Sequence, residues 1–168
     1  LGVMEKQLLE TKYLLGASPT AVDCAVLGGL YAHILNDPDP ARMVRRFPRV
    51  VKWAEENENY TLEINSEDST AITLTRFAAY VLQDIAPEYK NYIQGNQKAL
   101  ADKRKAFTVA TYGSDASYLT RSYPEISRQM IAARIANQLN LKEKEEAEQL
   151  LRRFDLQDCF MAASAGTN

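Results

Sequence analysis

The segment "SPTAVDCAVLGGLYAHI", Ser18–Ile34, decides how this chain is expected to fold. Thr20 suits the N-cap of a helix, because its hydroxyl can accept a hydrogen bond from the backbone N–H of Asp23. The Asp23 carboxylate can accept in turn from the N–H of Thr20, which makes a capping box with aspartate in place of the more usual Glu or Gln. Its negative charge also suits the positive end of the helix dipole. The pattern therefore predicts a helix over residues 20–35.

The body of this helix is apolar on nearly every side. Large side chains cover most of its circumference and small ones fill the rest: Val22, Val26, Leu27, Leu30, Tyr31, Ile34 and Leu35, with Ala21, Cys24 and Ala25. A helix without a polar face is expected to be buried on all sides. Each mid-helix glycine costs up to about 1 kcal/mol relative to alanine. At Gly28 and Gly29 we therefore expect a neighbouring backbone, or a ligand, to come close.

Composition limits the class of protein. The 168 residues are enough for one domain, and the net charge of -2 argues against a dedicated nucleic-acid-binding protein. No apolar run approaches the roughly 18 residues of a membrane span, and no secretory signal is visible. Two distant cysteines do not make a disulfide framework, so we expect a cytoplasmic location. With His33 as the single histidine, a metal site built from several imidazoles is excluded, and we predict none.

Periodicity predicts a chain that is otherwise mostly helical. We expect helices over 1–12, 40–46, from Pro48 to about 56, over 70–86 with Pro87 ending or kinking the helix, and over 88–106, 124–141 and 142–160. Residues 107–123 predict a short β-hairpin that turns at "GSDA". The predicted fold is all-α, with one helical domain over 1–161. This domain consists of a core at 1–56, a polar loop at 57–69 and a helical extension at 70–161, and a tail follows at 162–168.

Residues 13–56 resemble the C-terminal domain of the glutathione S-transferase family. The segments "YLLGASPTAVDCAVLGGLYAHILNDPDP" and "RRFPRVVKWAEE" carry the likeness, and Thr20, Asp23, Pro48 and Trp53 match the motif positions. Val22 departs from the alanine most often found before the aspartate. The remainder resembles, less closely, bacterial relatives with a C-terminal extension. There the "LTRSYPEISRQM" segment only approximates the relatives' motif, because the usual tryptophan is absent. The resemblance implies a helical bundle like that domain.

The resemblance also implies a function. In that family an N-terminal thioredoxin-like domain binds glutathione and activates its thiol, while the helical domain shapes the pocket for a small electrophile and supports the dimer. We therefore expect that an N-terminal part of a longer protein precedes Leu1, and that the complete protein uses glutathione. We expect this chain alone to be catalytically inactive, with no catalytic residue of its own, and to form homo-oligomers. The alternative is a non-catalytic helical module of the same fold that binds other proteins.

Four residues near the hairpin are the candidates for a substrate pocket: Tyr112, Tyr118, Arg121 and Tyr123. Arginine suits a carboxylate and tyrosines suit aromatic contact. If 121–123 were strand, Arg121 and Tyr123 would share a face. The alternative is that the tyrosines hold the hairpin against the helices. Elsewhere we expect His33 in the core or an interface, Cys24 buried and inert, and Cys159 more exposed.

Overall fold

Helices make up most of the protein. A computed structural model describes residues 1–58 and 74–161, which hold eight α-helices and one β-hairpin. The helices are α1 (Gly2–Glu10), α2 (Ala21–Gly29), α3 (Pro38–Val44), α4 (Pro48–Asn57), α5 (Arg76–Ala101), α6 (Ser122–Gln138), α7 (Leu141–Arg153) and α8 (Gln157–Phe160). The hairpin strands are β1 (Ala106–Thr111) and β2 (Ser114–Leu119). The prediction of a mostly helical protein with a short β-hairpin is confirmed.

The chain divides into two compact units, Leu1–Val81 and Leu82–Asn168. The boundary between them lies inside α5 and not in the polar segment 57–69, most of which lies outside the described residues, as does the predicted tail at 162–168. The prediction of a single domain over 1–161 stays a prediction.

The predicted capping box forms at the start of α2. Thr20 is the extended N-cap, and Asp23 is 4% exposed. The Asp23 Oδ2 accepts from the Thr20 backbone N–H at 2.8 Å and from its hydroxyl at 2.7 Å. The other carboxylate oxygen accepts from the backbone N–H of Leu14 at 2.8 Å. One buried side chain therefore holds the loop before α2 and the first turn of α2 together.

The first unit has one apolar core, drawn from its four helices and the loops between them. Its fully packed members are Met4, Leu14, Leu30, Val44, Val50, Trp53 and Ala54. A second carboxylate ties α1 to α4, because Glu5 accepts from the backbone N–H groups of Arg49 and Val50. These are orphan donors of the first turn of α4, whose own N-cap, Phe47, has no side-chain acceptor.

Helix α2 is not buried on all sides, so that prediction is wrong. Val22 is 37% exposed and Cys24 is also exposed, whereas Leu30 lies in the core. Val26 and Leu27 pack against the core, whereas Ala21 and Gly28 are exposed. After Gly29 the helix widens into a π turn over Leu30–Ile34, in which the Leu35 N–H donates to the Leu30 carbonyl at 2.7 Å.

Helix α5 continues through Pro87, so of the two predicted outcomes, an end or a kink, the end is wrong. Proline removes one helical hydrogen bond, the bond to the carbonyl four residues earlier. That carbonyl belongs to Gln83, and both Gln83 and Pro87 are exposed, so water can satisfy the freed group. The position of the proline on the solvent side explains why the helix survives.

The hairpin turns ahead of the predicted segment "GSDA", of which only Gly113 lies in the turn. Its strands pair in register from Ala106 with Leu119 to Thr111 with Ser114, which leaves Tyr112 and Gly113 as a two-residue turn. Both turn residues have positive φ, 47° and 77°, as a twisted type I′ turn requires. Tyrosine is an unusual residue at positive φ, and for this reason the sequence pattern did not reveal the turn.

The hairpin lies directly on α5 at Gly95. A Cβ at Gly95 would sit 2.6 Å from Val109 Cγ1 and 2.8 Å from Phe107 Cδ2. Phe107 is buried and forms an aromatic cluster with Tyr92 and Tyr118, with ring centroids 5.1–5.7 Å apart. Close approach of strand to helix at Gly95 therefore positions the whole hairpin.

We predict that Asp23→Ala lowers the free energy of unfolding by about 2–3 kcal/mol, because it removes a cap and leaves the buried Leu14 N–H unsatisfied. Thr20→Ala should lower it by about 1 kcal/mol. Chemical denaturation measures both effects. Asp37→Ala, at the exposed N-cap of α3, is the matched control and should have a smaller effect than Asp23→Ala. Equal effects of the two aspartate substitutions would contradict the structural role of the buried Asp23 carboxylate.

Two glycine-to-alanine substitutions should have opposite effects. Gly95→Ala is expected to destabilise by about 1–3 kcal/mol, because the new methyl group overlaps Val109 and Phe107. Gly28→Ala should stabilise by up to about 1 kcal/mol, because its Cβ meets nothing within 4 Å and alanine favours the helix. Thermal unfolding of both variants tests this. A stabilising Gly95→Ala would disprove the close approach.

Candidate functional site

The predicted pocket residues lie in different elements. Tyr118, in β2, packs edge-on against Tyr92 and stacks on Phe107. Its hydroxyl lies 3.3 Å from the Thr111 hydroxyl. These contacts match the alternative interpretation, in which a tyrosine holds the hairpin against a helix.

The other three residues are exposed. Tyr112, in the turn, donates from its hydroxyl to Asp84 at 3.4 Å. Arg121 is the N-cap of α6, and its backbone N–H and carbonyl bond to the side chain of Asn96 at 2.9 and 2.8 Å. Tyr123 already lies in α6 and is 77% exposed, so Arg121 and Tyr123 do not share a strand face. A joint binding role of the four residues stays a prediction.

Sequence reasoning missed Asn96. This residue is fully buried in the middle of α5, where a polar side chain reads as part of the exposed face. It uses both its amide nitrogen and its carbonyl oxygen on the backbone where β2 passes into α6. A satisfied buried amide of this kind specifies one chain path. Its role is to fix the backbone at Arg121, where β2 ends and α6 begins.

A more coherent candidate is an apolar cavity beside α2, which we call the α2 cleft. It has a volume of about 430 Å³. Its walls come from α1, α2, the π turn and the first turn of α5: Leu1, Met4, Ala25, Val26, Gly29, Leu30, His33, Ile34 and Phe77. The size lies within the range of about 300–1,000 Å³ that is usual for small-molecule sites.

Local backbone structure shapes the α2 cleft. The π turn contributes Leu30, His33 and Ile34 to its wall, and such turns are frequent at functional sites. At Gly29 an added Cβ would meet no described atom within 4 Å beyond its chain neighbours and the backbone of its own helix. The expected close backbone neighbour is thus not found in the described part of the chain. The space beside Gly29 is open.

The chemistry of the α2 cleft is that of an apolar binding surface. His33 is its one titratable side chain, and it is exposed, so its predicted place in the core is wrong, whereas the interface alternative stays a prediction. An imidazole there can donate or accept one hydrogen bond. Within residues 1–58 and 74–161, no three His, Cys, Asp or Glu side chains are grouped to hold a metal ion. In the same ranges no helix is long and apolar enough to span a bilayer.

A partly buried polar cluster in the second unit is structural. Arg128 donates to both oxygens of Glu125 at 2.7 and 2.8 Å and to the Cys159 carbonyl at 2.6 Å, which joins α6 to α8. The hydrogen bonds from Arg128 lower the pKa of Glu125, and Gln129 adds another. All these donors and acceptors are used within the fold.

Lys90, on α5, forms ion pairs with two aspartates at the C-terminal end of the same unit. Its ammonium lies 2.8 Å from Asp155 and 3.4 Å from Asp158. The hydrogen bond to Asp155 is the main reason why the pKa of Lys90 is raised. These ion pairs place α8 against α5, where Phe160 stacks on Tyr89.

The predicted environments of the two cysteines are both wrong, because each has the exposure that was predicted for the other. Cys24 is exposed near the start of α2, and Cys159 is fully buried in α8. Burial raises the pKa of the Cys159 thiol, which keeps it protonated and poorly reactive. The prediction failed because apolar neighbours in sequence around Cys24 are not neighbours in space.

Thiol labelling should therefore proceed in two phases. With Ellman's reagent under native conditions, we expect one thiol to react rapidly and the second to react only as the protein unfolds. Cys24→Ser should remove the fast phase, and Cys159→Ser should leave it intact. A fast phase that persists in Cys24→Ser would contradict the assignment.

Comparison with protein-family models, with curated proteins and with solved structures yields no significant match to this chain.

Proposed function

We propose that Leu1–Val81 is the helical substrate domain of a glutathione S-transferase-like protein, and that the α2 cleft receives the apolar part of an electrophile. The observation that carries this proposal is the cleft itself, which is apolar, faces open space at Gly29 and is walled by a π turn. The capping box, at the motif positions of the resemblance, sets the start of the helix that forms this wall.

Each part of the cleft has a role in this proposal. Leu1, Ile34 and Phe77 offer apolar contact area, which supplies affinity in proportion to the surface that a ligand covers. Gly29 leaves room for a ring or an alkyl chain. His33 can hydrogen-bond a polar substituent of the same ligand. Thiol activation is assigned to a thioredoxin-like domain of the complete protein, which would hold glutathione.

The proposal predicts binding of apolar glutathione conjugates without turnover. S-hexylglutathione should displace the dye anilinonaphthalene sulfonate from the chain, whereas S-methylglutathione should displace it at least about tenfold less well, because it lacks most of the apolar surface. Gly29→Leu should fill the cleft and abolish displacement. Gly28→Leu is the matched control, because Gly28 does not line the cleft, and it should behave like wild type.

The same experiment separates the alternative, a non-catalytic protein-binding module. The observation in favour of that alternative is the exposed apolar stripe of α6, in which Ile126 and Met130 are 51% and 54% exposed. Dye binding that survives Gly29→Leu but is lost in Met130→Glu would show that the dye binds the exposed apolar stripe of α6. That result would contradict the substrate-domain proposal.

A further inference from the structure

The outer edge of β1 carries backbone groups that are not paired with β2. The Thr120 N–H donates to the Lys105 carbonyl at 2.9 Å, so residues 105 and 120 form a hydrogen-bonded pair. Such pairs alternate along an antiparallel ladder. The pairs of Phe107 and Val109 are therefore bonded to β2. The N–H and carbonyl groups of Ala106, Thr108 and Ala110 point away from β2, and β1 has no other strand beside it in the described residues.

This free edge faces a groove beside α5. The Asn91 side chain, on α5, donates to the Ala110 carbonyl at 3.1 Å, which shows that the outer edge of β1 is turned toward that helix. The groove has a volume of about 480 Å³. Its lining combines a stripe of α5 with the strand: Asn91, Gln94, Gly95, Lys98, Arg104, Phe107, Thr108, Val109 and Ala110.

The groove is positively charged. Lys98 and Arg104 are its charged residues, and the lining contains no carboxylate. Arg104 has one ion pair, with Asp102 at 3.4 Å, and both of those side chains are about half exposed. Lys98 and Arg104 lie toward the start of β1, whereas Asn91 lies toward its end. The groove therefore has a basic end and a polar, uncharged end.

We propose that this groove binds an extended acidic peptide, which adds as a third strand to the outer edge of β1 while its carboxylates pair with Lys98 and Arg104. Strand addition to an open edge is a common mode of peptide recognition, in which the backbone ladder supplies affinity and side-chain contacts supply specificity. Thr108 contributes both a donor and an acceptor to this ladder. Gln94 offers a further polar contact from the helix.

A peptide fits the groove better than a second copy of the hairpin. The strand β1, "AFTVAT", has no acidic residue, and it follows the basic stretch Lys103–Lys105. A second copy of β1 would therefore bring no carboxylate to Lys98 and Arg104. An acidic strand supplies the opposite charge directly.

The test uses a fluorescein-labelled heptapeptide, Glu-Thr-Val-Thr-Val-Thr-Glu, and its counterpart with lysine at both ends. By fluorescence anisotropy with the full chain, we expect the acidic peptide to bind at least about tenfold more tightly, and added salt to weaken it. N-methylation of alternate peptide nitrogens should abolish binding. Equal affinity for both peptides, or no binding of either, would overturn the proposal.

Variants locate the binding edge. Thr108→Pro removes an outward N–H from β1 without removing a backbone hydrogen bond to β2, and it should abolish binding. It also removes the 2.8 Å contact between the Thr108 and Ser117 hydroxyls, which any substitution of Ser117 removes as well. Ser117→Pro is the matched control, because Ser117 is paired with Thr108 and its N–H points outward from β2 instead. Lys98→Glu should weaken binding as well, whereas Lys142→Glu, the same charge change on exposed α7, should not.

Backbone amide chemical shifts give a readout that does not depend on the proline variants. The acidic peptide should shift the Thr108 and Ala110 amides and leave the Ser117 amide unchanged. Shifts confined to β2, unchanged binding in Thr108→Pro, or concentration-dependent pairing of the chain through β1 would each contradict peptide addition at this edge.

Discussion

The first unit depends on the buried carboxylate of Asp23. Three donors converge on it, two from Thr20 and one from Leu14. A buried charge is tolerated only when hydrogen bonds replace the water that it has lost. This requirement sets where the loop meets α2, and so where the helix enters the core. The face of α2 that lines the cleft follows from the same entry point.

Glycine has opposite uses in the two units. At Gly95 the absent Cβ allows Phe107 and Val109 to touch the helix, and the hairpin is placed by that contact. Beside Gly29 the absent Cβ leaves open space within an apolar cavity. The residue type is the same, but side chains fill the space at Gly95, whereas the cavity beside Gly29 is open. The proposed function rests on the second.

The sequence revealed little of the candidate sites. Tyr112, Tyr118, Arg121 and Tyr123 are close in sequence, yet a turn, a strand, a helix cap and a helix separate them in the fold. The α2 cleft is built from segments far apart in the chain. The groove beside β1 is built from the consecutive elements α5 and β1, and it depends on how the hairpin packs on the helix. Gly29 and His33 stood out in the sequence, but nothing there showed that they share a cavity with Phe77.

What the sequence determined by itself is local. The Thr20–Asp23 box, the start of α4 at Pro48 and the mostly helical class follow from contacts and hydrogen bonds within a few residues. Tertiary structure alone decided which apolar side chains are covered, because burial depends on neighbours from distant segments. For that reason Cys24 is exposed and Cys159 is buried, and α5 passes through Pro87, where solvent can satisfy a freed carbonyl. Tertiary packing also decided the hairpin turn at Tyr112. The stacking of Phe107 on Tyr118 fixes the strand register, and this register places Tyr112 and Gly113 in the turn.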